Sequence, residues 1–147
     1  MTTTEFSVEV DAPPERVWEV VSNPVNIPHW ERHVVSVRLP DGGLDVGSTY
    51  TVVMAFMGVR IRVRGEILGW EPPSHAKIRL RGPLDATVDT SIGRLPRDRS
   101  LLRHEVTYRF RGPLGRLVAA GLNAVGGAQL GIRHGTLGQK RQIEAGA

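Results

Sequence analysis

The stretch that decides the fold is Val8-Glu-Val-Asp-Ala-Pro-Pro-Glu-Arg-Val-Trp18, in which a strand is followed at once by a helix. Residues 4–10 alternate between apolar and polar side chains, which is the pattern of a half-buried strand. Pro14 suits the first position of a helix, and Glu15 suits its first turn because a carboxylate stabilises the amino end of the helix dipole. The chain therefore begins with a strand and a short helix, and Ser22-Asn23-Pro24 ends that helix.

The remainder of the chain predicts a meander of strands closed by one helix. A second short helix is expected from Pro24 to about His29. Further strands are predicted over residues 34–39, 48–56, 59–70, 75–81, 85–95 and 101–111, separated by glycine and proline turns. Residues 114–144 contain no proline and no two-residue alternation, which indicates one long helix. The order β-α-α-β-β-β-β-β-β-α predicts a single α+β domain over residues 1–147.

Composition excludes several classes of protein. The 147 residues are 40% apolar and 23% charged, which is enough for one core and unlike a disordered chain. The absence of cysteine excludes a disulfide scaffold, a thiolate zinc site and a cysteine nucleophile. Neither a phosphate-binding glycine loop nor a nucleophile elbow occurs, and we predict no cofactor and no metal. We expect a cytoplasmic protein with no transmembrane segment, because no signal peptide is visible and the uncharged run 117–132 is too short.

Charge is unevenly distributed along the chain. Residues 1–73 hold 6 basic and 10 acidic side chains, whereas residues 74–147 hold 13 and 5. If strands 59–70 and 75–81 pair, one outer surface collects the basic side chains Arg60, Arg62, Arg64, Lys77, Arg79 and Arg81. This surface predicts an acidic carrier protein or RNA as a partner, with an ordinary solvated surface as the alternative. The low aromatic content disfavours single-stranded RNA, and we expect no DNA partner.

The chain resembles the START-like superfamily, also called birch-pollen-allergen-like or SRPBCC, and within it the bacterial polyketide cyclase/dehydrase and lipid-transport branch. The resemblance is carried by residues 8–18, by Asn23-Pro-x-x-x-Pro28-His-Trp30, by Gly47, by Gly69-Trp-Glu-Pro-Pro73, and by Gly112-Pro-Leu-Gly115 with Lys140-x-x-x-Glu144. It implies a helix-grip fold, in which a curved antiparallel sheet wraps a long C-terminal helix around a cavity for an apolar or aromatic ligand. Gln139 departs from the family, since a leucine usually precedes the terminal lysine, and we expect it to loosen the last helical turn.

Alternation along the strands places two polar side chains on the inner, apolar face of the sheet. Arg103, Glu105, Thr107 and Arg109 face outward in strand 101–111, so His104 and Tyr108 face inward. We interpret them as candidate catalytic residues, with His104 as a neutral general base and Tyr108, about 6–7 Å from it along the strand, as a donor to the same substrate carbonyl. The alternative is a histidine satisfied by a backbone group or water, and a tyrosine that only packs.

A ligand would contact the inner face and the long helix. The helix carries small residues at spacings of four and three: Leu117, Gly121, Ala124, Ala128, Gly131, Gly135 and Gly138. This stripe either packs closely on the sheet, leaves a cavity or seats another helix. The predicted ligand-binding residues are Trp30, Ile61, Val63, Ile78, Val88, Thr90, Val106, Ala124, Ala128 and Gly131. His29 and His33 are four residues apart, but Glu31 does not occupy the position that the His-Glu-x-x-His motif of zinc proteases requires.

Three functions remain open from the sequence. The first is a pocket protein that binds a hydrophobic or aromatic, polyketide-like ligand, with cyclisation or dehydration as a reaction open to it. The second is a carrier of a lipid or quinone without catalysis. The third is a protein- or ribosome-binding module that uses the basic outer face.

Overall fold

The computed structural model describes residues 2–31, 33–56, 58–124 and 128–146, with only the backbone described at residues 56, 121–124 and 128–131. The strands are β1 (Thr2–Val10), β2 (Val34–Arg38), β3 (Thr49–Phe56), β4 (Val59–Glu71), β5 (His75–Arg81), β6 (Leu84–Leu95) and β7 (Arg99–Phe110). The helices are α1 (Pro14–Val21), α2 (Ile27–Trp30), α3 (Gly112–Ala124) and α4 (Ala128–Ala145), and a 3₁₀ turn, Pro24–Asn26, precedes α2.

The seven strands form one antiparallel sheet in the order β1-β7-β6-β5-β4-β3-β2. Consecutive strands from β2 to β7 are neighbours, and β1 pairs with β7, so that Val8 lies opposite Leu102 and Phe6 opposite His104. The helix-grip arrangement expected from the resemblance is confirmed: a curved open sheet with two short helices after β1 and a helical C-terminal segment. The single helix predicted over residues 114–144 is described as α3 and α4, and residues 125–127 lie outside the described chain.

The predicted inner and outer faces of the strands are confirmed for most positions. In β4, Ile61, Val63 and Ile67 are buried and the arginines between them are exposed. Val59 is an exception, because it alternates with the outward-facing arginines of the strand and yet is 41% exposed. It pairs with Phe56 at the tip of the β3–β4 hairpin, one step beyond Ile61, the residue that packs against Val118 of α3.

One acidic side chain on the outer face is more buried than its position suggests. The side chain of Asp85 is only 6% exposed because three arginines surround its carboxylate. Arg109 Nε lies 3.3 Å away, Arg79 3.6 Å and Arg111 3.8 Å. Part of the predicted basic surface is therefore neutralised within the protein itself.

The tightly packed part of the core lies between α1, α4 and the ends of β6 and β7. Its members are Val10, Ala12, Val17, Val20, Ile92, Leu102 and Ile143, all of which are 5% exposed or less. The buried hydroxyl of Ser100 donates to Ala12 O at 2.7 Å and fixes the loop between β1 and α1. Among the described residues, no helix is long and apolar enough to cross a membrane.

Candidate functional site

A cavity of about 320 Å³ lies between the inner face of the sheet and α4. Its wall is mostly aliphatic and aromatic and draws on β3 to β7, on α2 and on α4. The volume is within the range of about 300–1,000 Å³ that is usual for small-molecule sites. The fold therefore contains a hollow region beside its packed core.

The strand register arranges the inward-facing residues of β6 and β7 as successive levels along the sheet, each formed by two opposite residues. Leu102 and Ile92 are opposite each other and belong to the packed core. Two residues further along each strand, on the same face, His104 lies opposite Thr90, and two residues beyond that Val106 lies opposite Val88. His104 and Thr90 therefore form a polar level between the packed core and the apolar part of the cavity.

His104 is 8% exposed and is held by two side chains. Its Nδ1 lies 2.8 Å from Thr90 Oγ1, and its Nε2 lies 2.7 Å from Gln139 Oε1. The amide oxygen can only accept a hydrogen bond, so Nε2 carries the proton and Nδ1 accepts from the hydroxyl of Thr90. Burial lowers the pKa of His104, an effect that the hydrogen bond to Gln139 partly opposes.

Gln139 is the residue that the sequence analysis interpreted wrongly. It was expected to loosen the last turn of the helix, yet it is 7% exposed and joins α4 to His104 on the sheet. Where its side chains are described, the buried face of α4 is formed by Thr136, Gln139 and Ile143, and the first two lie one residue along from the predicted stripe positions Gly135 and Gly138. A search for a partner to an inward-facing histidine could have found it, because buried polar groups are almost always hydrogen-bonded.

Two tyrosines add hydroxyl groups to the wall. Tyr50 lies flat against β4 at Gly65, where an added Cβ would come within 2.5 Å of the ring, so only glycine admits it. Burial raises the pKa of Tyr50. Tyr108 packs edge-on against Phe110 at 5.6 Å. Within the described residues neither hydroxyl has a hydrogen-bond partner, and the same holds for the buried Thr4 Oγ1.

Trp30 links the short helix α2 to the C-terminal helix beside the cavity. Its indole Nε1 donates to Gln142 Oε1 at 2.7 Å, and its backbone lies within 3.7 Å of the position that a Cβ on Gly138 would take. Gly135, one turn earlier, lines the cavity, and an added Cβ there would meet nothing within 4 Å. Within the predicted stripe, Gly138 therefore allows close packing against Trp30, whereas Gly135 borders open space.

The structure places most of the predicted site residues on the cavity wall. They are Trp30, Val63, Ile78, Val88, Thr90, His104, Val106 and Tyr108. Ile61 is not among them, because it packs against Val118 in a separate cluster. The side chains of Ala124, Ala128 and Gly131 lie outside the described part of the chain. The polar wall residues that the sequence analysis did not single out for the site include Thr4, Glu31, Tyr50, Thr136 and Gln139.

The predicted spacing of His104 and Tyr108 is wrong. They are four residues apart in β7, with Val106 between them on the same face. Four residues of extended strand span about 13 Å, twice the separation expected from the sequence. The two side chains therefore do not converge on one substrate carbonyl.

The other polar clusters lie outside the cavity or in its rim. The ring of His33 bonds the carboxylate of Glu31 at 2.9 Å, and His29 is exposed. In the described part of the chain, no three histidine or acidic side chains are placed to hold a metal ion. The β4–β5 pairing puts Arg64 opposite Arg81 on the outer face, as expected, and Arg60 and Arg62 are exposed on the same surface.

Comparison with known proteins agrees with this architecture. A family model described as polyketide cyclase / dehydrase and lipid transport matches residues 1–134. DR_A0006 from Deinococcus radiodurans is 15% identical with a TM-score of 0.74, and each chain is covered completely. TTHA0849 from Thermus thermophilus is 16% identical with a TM-score of 0.74 and 99% coverage of both chains. Ara h 8.0201 is 16% identical with a TM-score of 0.65, covering 98% of this chain and 95% of that one. No curated protein matches the chain.

Proposed function

This chain belongs to the polyketide cyclase/dehydrase and lipid transport family, and we propose that it binds one hydrophobic or aromatic small molecule in the cavity between the sheet and α4. The observation that carries the proposal is an apolar wall around about 320 Å³ of space in a position where a core would otherwise be packed. An unfilled apolar cavity lowers stability, because its lining loses dispersion contacts. A ligand of matching shape restores those contacts and releases water from the wall.

We infer that the protein carries or sequesters its ligand rather than transforming it. A general base needs a free lone pair within reach of the substrate proton. In His104 the lone pair of Nδ1 is occupied by the hydroxyl of Thr90, and Nε2 already holds a proton for Gln139. These bonds support a structural role for His104 in the wall.

Cyclisation or dehydration of a polyketide-like ligand is the second candidate. It is favoured by the neutral state of His104 and by the unpartnered hydroxyl of Tyr108, both on the wall of one cavity. A turnover assay with a poly-β-keto thioester distinguishes the two candidates. We expect no cyclised or dehydrated product from the wild type; product formation that is abolished by His104→Gln would establish the enzyme instead.

The binding proposal is tested by titration with the neutral, apolar fluorophore N-phenyl-1-naphthylamine. Gly135→Leu places a side chain beside open space in the cavity, so we expect a loss of affinity of at least about tenfold. The melting temperature should not fall, because leucine is a better helix former than glycine by up to about 1 kcal/mol.

The matched control is Gly138→Ala, which gains helix propensity in the same helix without entering the cavity. We expect this variant to bind the fluorophore as the wild type does. Equal affinity in wild type and Gly135→Leu would contradict the cavity as the binding site.

For the outer face we propose contact with an acidic carrier protein that delivers or accepts the ligand. Arg60, Arg62, Arg64 and Arg81 are exposed on β4 and β5, and none of the four forms an ion pair within the described residues. A surface of this kind attracts an acidic partner in a salt-dependent way. Affinity for an acidic acyl carrier domain should be lost in the Arg60→Glu/Arg62→Glu variant; unchanged affinity would exclude this surface.

A further inference from the structure

We propose that Gln139 donates a hydrogen bond from its side-chain amide to the ligand, so that the cavity selects apolar molecules that carry a neutral carbonyl group. This inference rests on the binding function proposed above. It adds the class of ligand and names Gln139 as the residue that determines specificity, with His104 as a positioning residue.

The hydrogen bonds between Thr90, His104 and Gln139 run in one direction. Thr90 Oγ1 donates to His104 Nδ1, and His104 Nε2 donates to Gln139 Oε1, at 2.8 and 2.7 Å. Each bond fixes the direction of the next, because a neutral imidazole has one donor and one acceptor. This chain of hydrogen bonds uses the oxygen of the Gln139 amide and leaves its nitrogen free of His104.

The amide nitrogen of Gln139 takes no part in these hydrogen bonds. Gln139 is 7% exposed and lines the cavity, and its oxygen is occupied by His104. Among the described residues its amide nitrogen has no hydrogen-bond partner. A ligand acceptor in the cavity would give this N–H group the hydrogen bond that it does not form within the described chain.

The charged residues that line the cavity restrict the charge of the ligand. No lysine or arginine lines the described part of the cavity, and its one carboxylate, Glu31, is negative. A carboxylate or phosphate buried there would lack a compensating cation and would be strongly disfavoured. A ketone, quinone or ester carbonyl accepts the amide hydrogen bond without bringing a charge into the site.

The test compares three probes that share one ring system: 9-fluorenone with a carbonyl, fluorene with a methylene, and fluorene-9-carboxylate with a charge. The wild type should bind fluorenone about fivefold more tightly than fluorene, because a neutral hydrogen bond contributes about 1 kcal/mol net. The carboxylate should bind more weakly than either. The infrared carbonyl stretch of bound fluorenone should move to lower wavenumber, which requires no variant to be made.

Two variants test whether the amide of Gln139, and not the apolar wall as a whole, recognises the carbonyl group of the ligand. Gln139→Glu keeps an acceptor for His104 but removes the amide donors, so the fluorenone preference and the infrared shift should both disappear. Gln142→Glu is the matched control: it makes the same amide-to-carboxylate change in the same helix, outside the cavity wall, and keeps an acceptor for Trp30 Nε1. In this variant both signals should persist.

The outcomes are distinct for the two proposals. If fluorenone and fluorene bind equally and the carbonyl stretch does not shift, the role of Gln139 is wrong and the apolar pocket stands. If the preference survives in Gln139→Glu, another donor recognises the carbonyl and the inference is overturned. If none of the probes binds, both the inference and the binding function fail.

Discussion

The two ends of the space between sheet and helices are built from similar strand residues, but one is packed and the other is hollow. Leu102 and Ile92 lie opposite each other in the packed end, and Val106 and Val88 lie opposite each other four residues further along the same strands. The difference lies in what faces them. α1 and Ile143 cover the packed end, whereas α4 presents Gly135 and Thr136 to the cavity. The helices that cover the strands, and not the strand residues themselves, therefore distinguish the two ends.

A stability comparison between the two ends gives the largest expected effect. Leu102→Ala should lower the free energy of unfolding by about 2–5 kcal/mol, because it opens a new cavity in close-packed surroundings. Val88→Ala should cost less than about 1 kcal/mol, because Val88 already borders open space. Urea denaturation of both variants checks this. A similar loss from the two substitutions would contradict the distinction between the ends.

The polar level between the two ends should show strong coupling. Gln139→Leu leaves the buried Nε2–H of His104 without an acceptor and should cost about 1–3 kcal/mol. The double variant His104→Leu/Gln139→Leu removes both partners and should recover most of that loss. Additive losses in the double-mutant cycle would show that the 2.7 Å hydrogen bond does not form in solution.

The same level should make stability depend on pH. The pKa of His104 is lower in the folded protein than in the unfolded chain, where it is about 6.5. As the pH falls below that value the unfolded chain takes up the proton first, so stability should decline by up to about 1.4 kcal/mol per pH unit. The His104→Leu/Gln139→Leu variant should lose this part of the decline below about pH 6.5; a wild-type slope retained in full would assign it to other groups.

A smaller effect is expected where the C-terminal helix is fastened to the packed end. Glu144 Oε2 accepts from Lys140 Nζ at 2.7 Å and from the backbone N–H of Asp11 at 2.9 Å, and these bonds lower its pKa. The stabilisation is therefore present above the unfolded pKa and is lost on acidification. Glu144→Gln should cost about 0.5–1 kcal/mol at pH 7. Binding of N-phenyl-1-naphthylamine should be unchanged; weaker binding would mean that the two ends are not independent.

The sequence is sufficient to predict the sheet and its inner face. Charged residues alternate with aliphatic ones in β4 and β7, and a buried charge is costly, so Val63 and His104 can be placed inward from pattern alone. The same period fixes which residues of a strand share a face, and the predicted pairing of β4 with β5 is confirmed by their register.

The helix side of the site is harder to predict. A helical stripe chosen for small side chains points to Gly135 and Gly138, but the most buried of the described side chains of α4, over residues 132–145, are Thr136, Gln139 and Ile143. Two of those three are polar, and a pattern based on apolar residues passes over them. Their burial follows from a partner on β7 that is distant in sequence, since His104 and Gln139 are separated by 35 positions.

The most direct test of the comparison is methyl NMR of valine-labelled protein during titration with N-phenyl-1-naphthylamine. The valines divide between the two ends: Val63, Val88 and Val106 line the cavity, and Val10, Val17 and Val20 belong to the packed core. The account predicts large chemical-shift changes for the first group and small ones for the second. Equal changes in both groups, or changes confined to exposed valines such as Val25 and Val46, would contradict it.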